Sequence, residues 1–249
     1  MDAEFLWYVA AGFVAQLIDG TLGMAYGVSA SSLLASIGLP PSTISATVHA
    51  AECFTTGASA ISHHSFGNID RTLFRRLIVP GVVGAVVGAY ILSELPGDIT
   101  KPYIAGYLLF IGAIILYKSF RTIHPVASDD TRIGPLAFVG AFFDAIGGGG
   151  WGPIVTSNLV ARGLPVRQTI GSVNSAEFFI TLASSITFIL TIGLSHWTVI
   201  AGLALGGVLA APLGAWACKH VPAKPLMRAV GILVILTSLR TLAKHAHWL

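Results

Sequence analysis

The chain has 249 residues, 54% of them hydrophobic and 10% charged, with a mean hydropathy of +0.79 and a net charge of +3. A soluble domain carries roughly 25% charged residues, so the composition excludes an ordinary cytosolic enzyme and describes an integral membrane protein. The small positive charge implies no nucleic-acid partner, because lysines and arginines in the loops of a membrane protein are topology signals.

The first residues, MDAEFLWYVAAG, place acids where a signal peptide would carry basic residues, and they read as mature protein. Two apolar stretches, 5–18 and 22–37, flank Asp19-Gly20-Thr21. As helices each would be only about 21 to 24 Å long, so they form either a hairpin of short helices or one long kinked span. Pro40-Pro41 closes the unit, since proline disfavours helical geometry in the residue before it. A helix over 42–66 follows, with Thr47, His49, Glu52, Thr55, Thr56, Ser59 and His63 mostly on one side, which should face protein or water. His63 and His64, near its basic end, read as solvated interfacial residues.

A span over 73–92 has glycines at spacings of three and four that permit close helix contact. A loop over 93–101, a span over 102–118 and a polar linker at 122–132 complete the first half. The second half repeats the plan, with a broken pair to Arg162, a helix over 166–192, and spans over 197–218 and 226–242. Helices are the expected element, because backbone groups in lipid must be paired internally and the segments lack the alternation of barrel strands.

The stretch 13–38 recurs at 138–163 without a gap, at a shift of 125. The match pairs Asp19 with Asp144, Gly23 with Gly148, Gly27 with Gly152 and Ser32 with Ser157, and continues to Glu52 with Glu177. Duplication of a structural unit explains this better than low complexity does. The repeats are therefore 1–121 and 133–249.

Charge selects their relative orientation. If each broken pair returns to the side it came from, eleven of the fourteen basic residues share one side: Arg71, Arg75, Arg76, Lys118, Arg121, Arg132, Arg162, Arg167, Lys219, Lys224 and Arg228. If each pair crosses as one helix, the basic residues divide more evenly. The positive-inside rule favours the first arrangement. The expected fold is thus all-α, with two inverted-topology repeats, each a broken or re-entrant helix pair plus about three transmembrane helices, and both termini outside the cytoplasm.

Inverted repeats with interrupted helices are used by secondary transporters, which hold substrate near the midplane where the copies meet. Helix N-termini there favour an anion. The candidate substrate-binding residues are Gly23, Tyr26, Ser29, His49, Gly148, Gly149, Gly150, Trp151 and Asn174. Asp19 and Asp144 sit at the breaks, where they either cap the following half-helix or take part in gating or proton handling. Glu52 and Glu177 occupy equivalent places inside apolar helices, where an ionised carboxylate is costly unless paired. These four acids are the candidates for proton coupling or gating.

No phosphate-binding loop, dinucleotide fingerprint or nucleophile elbow occurs. No metal or other cofactor is expected, the spacing of His49, Glu52 and His63 resembling no closed ligand set. Cys53 and Cys218, both in apolar segments, are expected to be free thiols.

FFDAIGGGGWGPIVTSNLV in the second copy, with LIDGTLGMAYG, VHAAE and SHHSFGNID in the first, resembles the TauE/SafE family of membrane proteins over essentially the whole chain. The resemblance implies export of sulfite or a related sulfur-containing anion such as an organosulfonate, by a multi-pass protein of the bacterial inner membrane. The partners it leaves to consider are the small anion, protons as the coupling ion, the lipid bilayer and a second copy in a homodimer. The alternatives are an intramembrane enzyme or sulfur carrier using Cys53 or Cys218, and an anion channel.

Overall fold

The computed structural model describes residues 3–121 and 132–246. The expected polar linker at 122–132 lies outside the described residues except for Arg132. Among the described residues ten α-helices run α1 (Ala3–Leu22), α2 (Tyr26–Ser36), α3 (Pro41–Ser65), α4 (Arg71–Glu94), α5 (Gly97–Phe120), α6 (Ile133–Gly147), α7 (Ser157–Ala161), α8 (Val166–Thr191), α9 (Trp197–Ala217) and α10 (Ala223–His245). A π-helical turn, Gly152–Thr156, precedes α7.

Among the described helices, α1, α4, α5, α8, α9 and α10 are long and apolar enough to cross a membrane. This is a multi-pass membrane protein. Large apolar side chains such as Tyr103, Phe110 and Leu190 stand exposed on the outside, where a bilayer accepts them. The polar residues of α3, including Thr47, His49, Glu52, Thr56, Ser59 and His63, are instead buried against the rest of the bundle.

Helices α3 and α8 pack on each other at the centre, with α9 also against α3 and α4 against α8. The glycine stripes expected to bring helices close do so. Gly84 and Gly88 of α4 lie against the backbone of Phe138 and Phe142 on α6, while Gly206 and Gly214 of α9 lie against Val9 and Gly20 on α1. The remaining pair, α5 with α10, closes the bundle.

Two expected boundaries move. The first break lies at Gly23–Ala25, not at Asp19-Gly20-Thr21. Helix α1 continues through Asp19 because its end is capped by Gly23, in the left-handed region at φ 66°, whose N–H bonds the Asp19 carbonyl at 2.6 Å. Helix α5 begins at Gly97, so the loop expected over 93–101 shrinks to Leu95-Pro96. Pro102 lies inside α5, one residue beyond its first turn and a half, and leaves the Asp98 carbonyl without its helical N–H donor.

Both breaks turn the chain back on itself. Ser36 and Ile37 at the end of α2 line the same groove as Glu4 and Trp7 at the start of α1. In the second copy Gly140 on α6 lies against Val155 beyond the turn.

Helix ends gather at two faces of the bundle. At one, Lys219 bonds the Phe66 carbonyl, Ser172 accepts from the Asp70 N–H, Lys118 donates to Ser157, and Arg228 covers the Phe120 ring. This is termed the basic end. At the other, Lys244 bonds the Ser36 carbonyl, Ser93 meets Thr191, and Glu4 and Arg240 line one groove.

Candidate substrate and proton site

The two breaks meet. Ser31 on α2 donates to the Gly148 carbonyl, and Thr156 donates to the Gly23 carbonyl at 2.7 Å. These bonds are one bond made twice, since a shift of 125 converts Ser31 to Thr156 and Gly23 to Gly148. The packing is reciprocal too: Gly27 lies against Gly148 and Gly149, and its counterpart Gly152 lies against Gly23 and Met24. Each copy thus makes to the other the contact that the other makes to it.

Each break is stitched by its aspartate. The Asp19 carboxylate accepts from the Tyr26 N–H, and Asp144 Oδ1 accepts from the Trp151 N–H at 2.9 Å. Each acceptor thus reaches seven residues ahead, in the same register of both copies, and satisfies an amide at the start of the following helical segment. Gly148 at φ 65° caps α6 as Gly23 caps α1.

Around this junction four acids are buried, Asp19 (2% exposed), Glu52 (2%), Asp144 (2%) and Glu177 (5%), and every pair among them is close enough to interact electrostatically. His49, fully buried, is the only basic side chain ion-paired with this group among the described residues, its Nε2 lying 3.2 Å from Asp144 Oδ2. Its Nδ1 bonds the Ser45 carbonyl at 2.8 Å and, since a carbonyl only accepts, carries a proton there. Ser45 Oγ in turn donates to the Ala145 carbonyl. One donor atom each from His49, Glu52 and Asp144 lie within 4.8 Å of one another, close enough to share a proton or to hold a cation.

Asp19 Oδ2, Glu177 Oε2 and Asn174 Nδ2 are buried without partners. Burying a carboxylate without compensation is expensive. The four acids thus face a single ion-paired imidazole among the described residues.

The structure gathers Asp19, Glu52, Asp144, Glu177, His49, Gly23, Gly148 and Gly149 at the junction. Asn174 lies one turn from Glu177, accepting from Ser59 at 3.0 Å. Tyr26 is buried, but its hydroxyl donates away to the Leu203 carbonyl at 3.2 Å. Ser29 is buried with its hydroxyl unpartnered and lines the groove between α1 and α2. Trp151 is fully buried, with Nε1 donating to the Val173 carbonyl at 3.2 Å. Gly147 and Gly150 leave room for the Tyr107 ring, whose hydroxyl donates to the Gly149 carbonyl at 3.0 Å.

His63 is a correction, being fully buried rather than interfacial, whereas His64 is exposed. It packs inside because Asn68 follows the end of α3 and bonds its ring, Nδ2 to Nδ1, at 3.1 Å. Cys53 and Cys218 are free and half-buried.

Ser31 and Thr156 are among the hydroxyls that the sequence places near the breaks, whereas sequence reasoning did not select Ser45 or Tyr107 for the site. Ser45 was accessible, since it lies one turn from His49 on the same face of α3. Tyr107 carries no such signal, because α5 reaches the glycine run only through tertiary packing.

A family model described as "Sulfite exporter TauE/SafE" matches residues 8–241. The chain belongs to the TauE/SafE family. A relative named "Probable membrane transporter protein YtnM", from Bacillus subtilis (strain 168), is 41% identical over 248 residues, covering 96% of this chain and 83% of its own. "Probable membrane transporter protein ORF9" from Sinorhizobium sp is 24% identical over 244 residues, covering 95% and 92%. "Sulfite exporter TauE/SafE family protein 3" from Arabidopsis thaliana matches a shorter part, 25% identical over 117 residues, 45% of this chain and 25% of its own. No solved structure shows a significant match. This TauE/SafE chain is thus a membrane transporter and not an enzyme.

Proposed function

We propose that the protein is a secondary transporter that exports a small sulfur-containing anion, sulfite or an organosulfonate, with protons as the coupling ion. The observation that carries this reading is the burial of Asp19, Glu52, Asp144 and Glu177 together with His49 at the junction of the two breaks. An anion can approach four carboxyls only when protons neutralise them, so anion binding and protonation favour one another. The substrate lies between the breaks, with His49, Asn174 and nearby hydroxyls as donors and the acids as the proton store. The family description and the name of the Arabidopsis relative support a sulfur oxyanion as cargo.

The repeats work as inverted copies by alternating access, each side of the bundle opening in turn around a fixed central site. Supporting this are the reciprocal Ser31–Gly148 and Thr156–Gly23 bonds and the opposite ends at which equivalent helices terminate. The basic end faces the cytoplasm of a bacterial inner membrane, following the positive-inside rule, so both termini lie outside.

Sulfite flux into proteoliposomes tests the reading. His49→Ala and Asn174→Ala should each lower flux by about 10²-fold, the scale of one positioned proton-transfer or binding group. Folded variants with wild-type flux would remove both residues from the site.

A further inference from the structure

A row of buried polar side chains runs along α3 from the acid cluster towards the basic end. It starts at Glu52, passes Thr56 against Thr181 at 3.4 Å and Ser59 bonded to Asn174, and reaches His63 bonded to Asn68. Glu52 and His63 are eleven residues apart, about 16 Å along the helix. Asn68 closes the row: its Nδ2 donates to the Ala215 carbonyl at 3.2 Å, and it packs against Gly171.

The bond to Ala215 fixes the Asn68 amide orientation, because a carbonyl only accepts. Asn68 Nδ2 therefore also donates to His63 Nδ1, leaving the ring proton on Nε2. That Nε2 faces the Gly20 carbonyl of α1, next in the chain to Asp19, too loosely for a hydrogen bond. Among the described residues no charged side chain acts on His63. Asn174 Nδ2 and Asn68 Oδ1 are likewise buried and unpartnered. Three such groups along one row are costly in an apolar interior unless a mobile polar species visits them.

The equivalent row on the other half is interrupted. The counterpart of Ser59 is Ser184, buried and unpartnered, while His49, the counterpart of Asn174, has turned to Asp144. The counterpart of His63 is Phe188, fully buried with its ring 6.1 Å from that of His49, and the counterpart of Asn68 is Gly193.

We propose that this one-sided row is the route by which protons reach the acid cluster from the basic end, with His63 and Asn68 as its relay and gate and Phe188 as the seal on the opposite side. His63 accepts a proton at Nδ1 when Asn68 moves aside and releases the one on Nε2 inward. Only N–H bonds change and the ring ends neutral as the Nδ1–H tautomer; the starting tautomer returns when, after the ring turns, Nε2 takes up the next proton from the basic end and Nδ1 gives its own inward. This rests on the proton-coupled reading above.

The test uses the full-length protein in proteoliposomes in two arms. In the first, sulfite-driven proton movement is followed with a pH-sensitive dye. His63→Phe and His63→Gln, checked for monodispersity, should each lower it by about 10²-fold, the scale of one proton-transfer group. His63→Gln carries the arm if the phenylalanine variant misfolds. In the second, Ser59→Cys and Ser184→Cys in a Cys53→Ser/Cys218→Ser background meet a membrane-impermeant thiol reagent applied to one face at a time. Ser59→Cys should react from the basic face about tenfold faster than Ser184→Cys does from the opposite face, as a local difference in opening.

Wild-type proton movement in both His63 variants would overturn the relay, and equal labelling of the two cysteines would overturn the one-sided route. Wild-type protein that moves sulfite without protons would instead overturn the coupling reading, and the relay with it, while the labelling arm still judges the route.

Discussion

Thr56 on α3 and Thr181 on α8, separated by the repeat shift of 125, meet hydroxyl to hydroxyl at 3.4 Å. In the inverted-repeat arrangement proposed above, a residue that touches its own counterpart lies on the axis relating the two copies. The acids, the glycine turns and the reciprocal hydroxyl bonds are arranged about that point, so perturbations should come in matched pairs.

The first pair is Ser31→Ala and Thr156→Val. Each leaves one buried carbonyl, of Gly148 or Gly23, without its side-chain donor, a loss of about 1–3 kcal/mol. Thermal unfolding in detergent should show similar decreases in Tm for both. A decrease for one alone would contradict their equivalence.

Replacement of Asp144 separates capping from transport. Asparagine keeps an oxygen for the Trp151 N–H, so Asp144→Asn should unfold close to wild type, while Asp144→Ala should lose about 0.5–2 kcal/mol. If the carboxyl also handles protons, Asp144→Asn transport should lose its response to an imposed pH gradient. A wild-type response would reduce Asp144 to a cap.

Glycine substitutions should divide by contact. A Cβ at Gly27 would lie 2.8 Å from Gly149 Cα and 3.1 Å from Glu52 Oε1, so Gly27→Ala forces the two breaks apart and should cost about 1–3 kcal/mol and most of the flux. Gly106 on α5 has open space around it, and Gly106→Ala should gain about 0.5–1 kcal/mol through helix propensity. Melting curves for the two should move in opposite directions.

Much of this was legible before the fold was known. Duplication put Asp19 with Asp144 and Glu52 with Glu177, and charge counting indicated that each break reverses. The exact break was not legible, because an aspartate-glycine pair looks like an interruption, whereas the helix runs on until Gly23 adopts a left-handed conformation. His63 was misplaced for a related reason. Its nearness to the basic end of α3 suggested solvent, but a buried Asn68 beyond the helix end holds it inside, and that contact has no periodic signature.

In the transport cycle proposed above, anion movement and the protonation of the buried acids are linked. The most direct measurement is sulfite accumulation in proteoliposomes under an imposed pH gradient, comparing wild type with Glu52→Gln and Glu177→Gln. Wild type should accumulate sulfite above its outside concentration, and both variants should lose this response to the gradient. Sulfite that only equilibrates, at a rate indifferent to the gradient, would contradict that linkage.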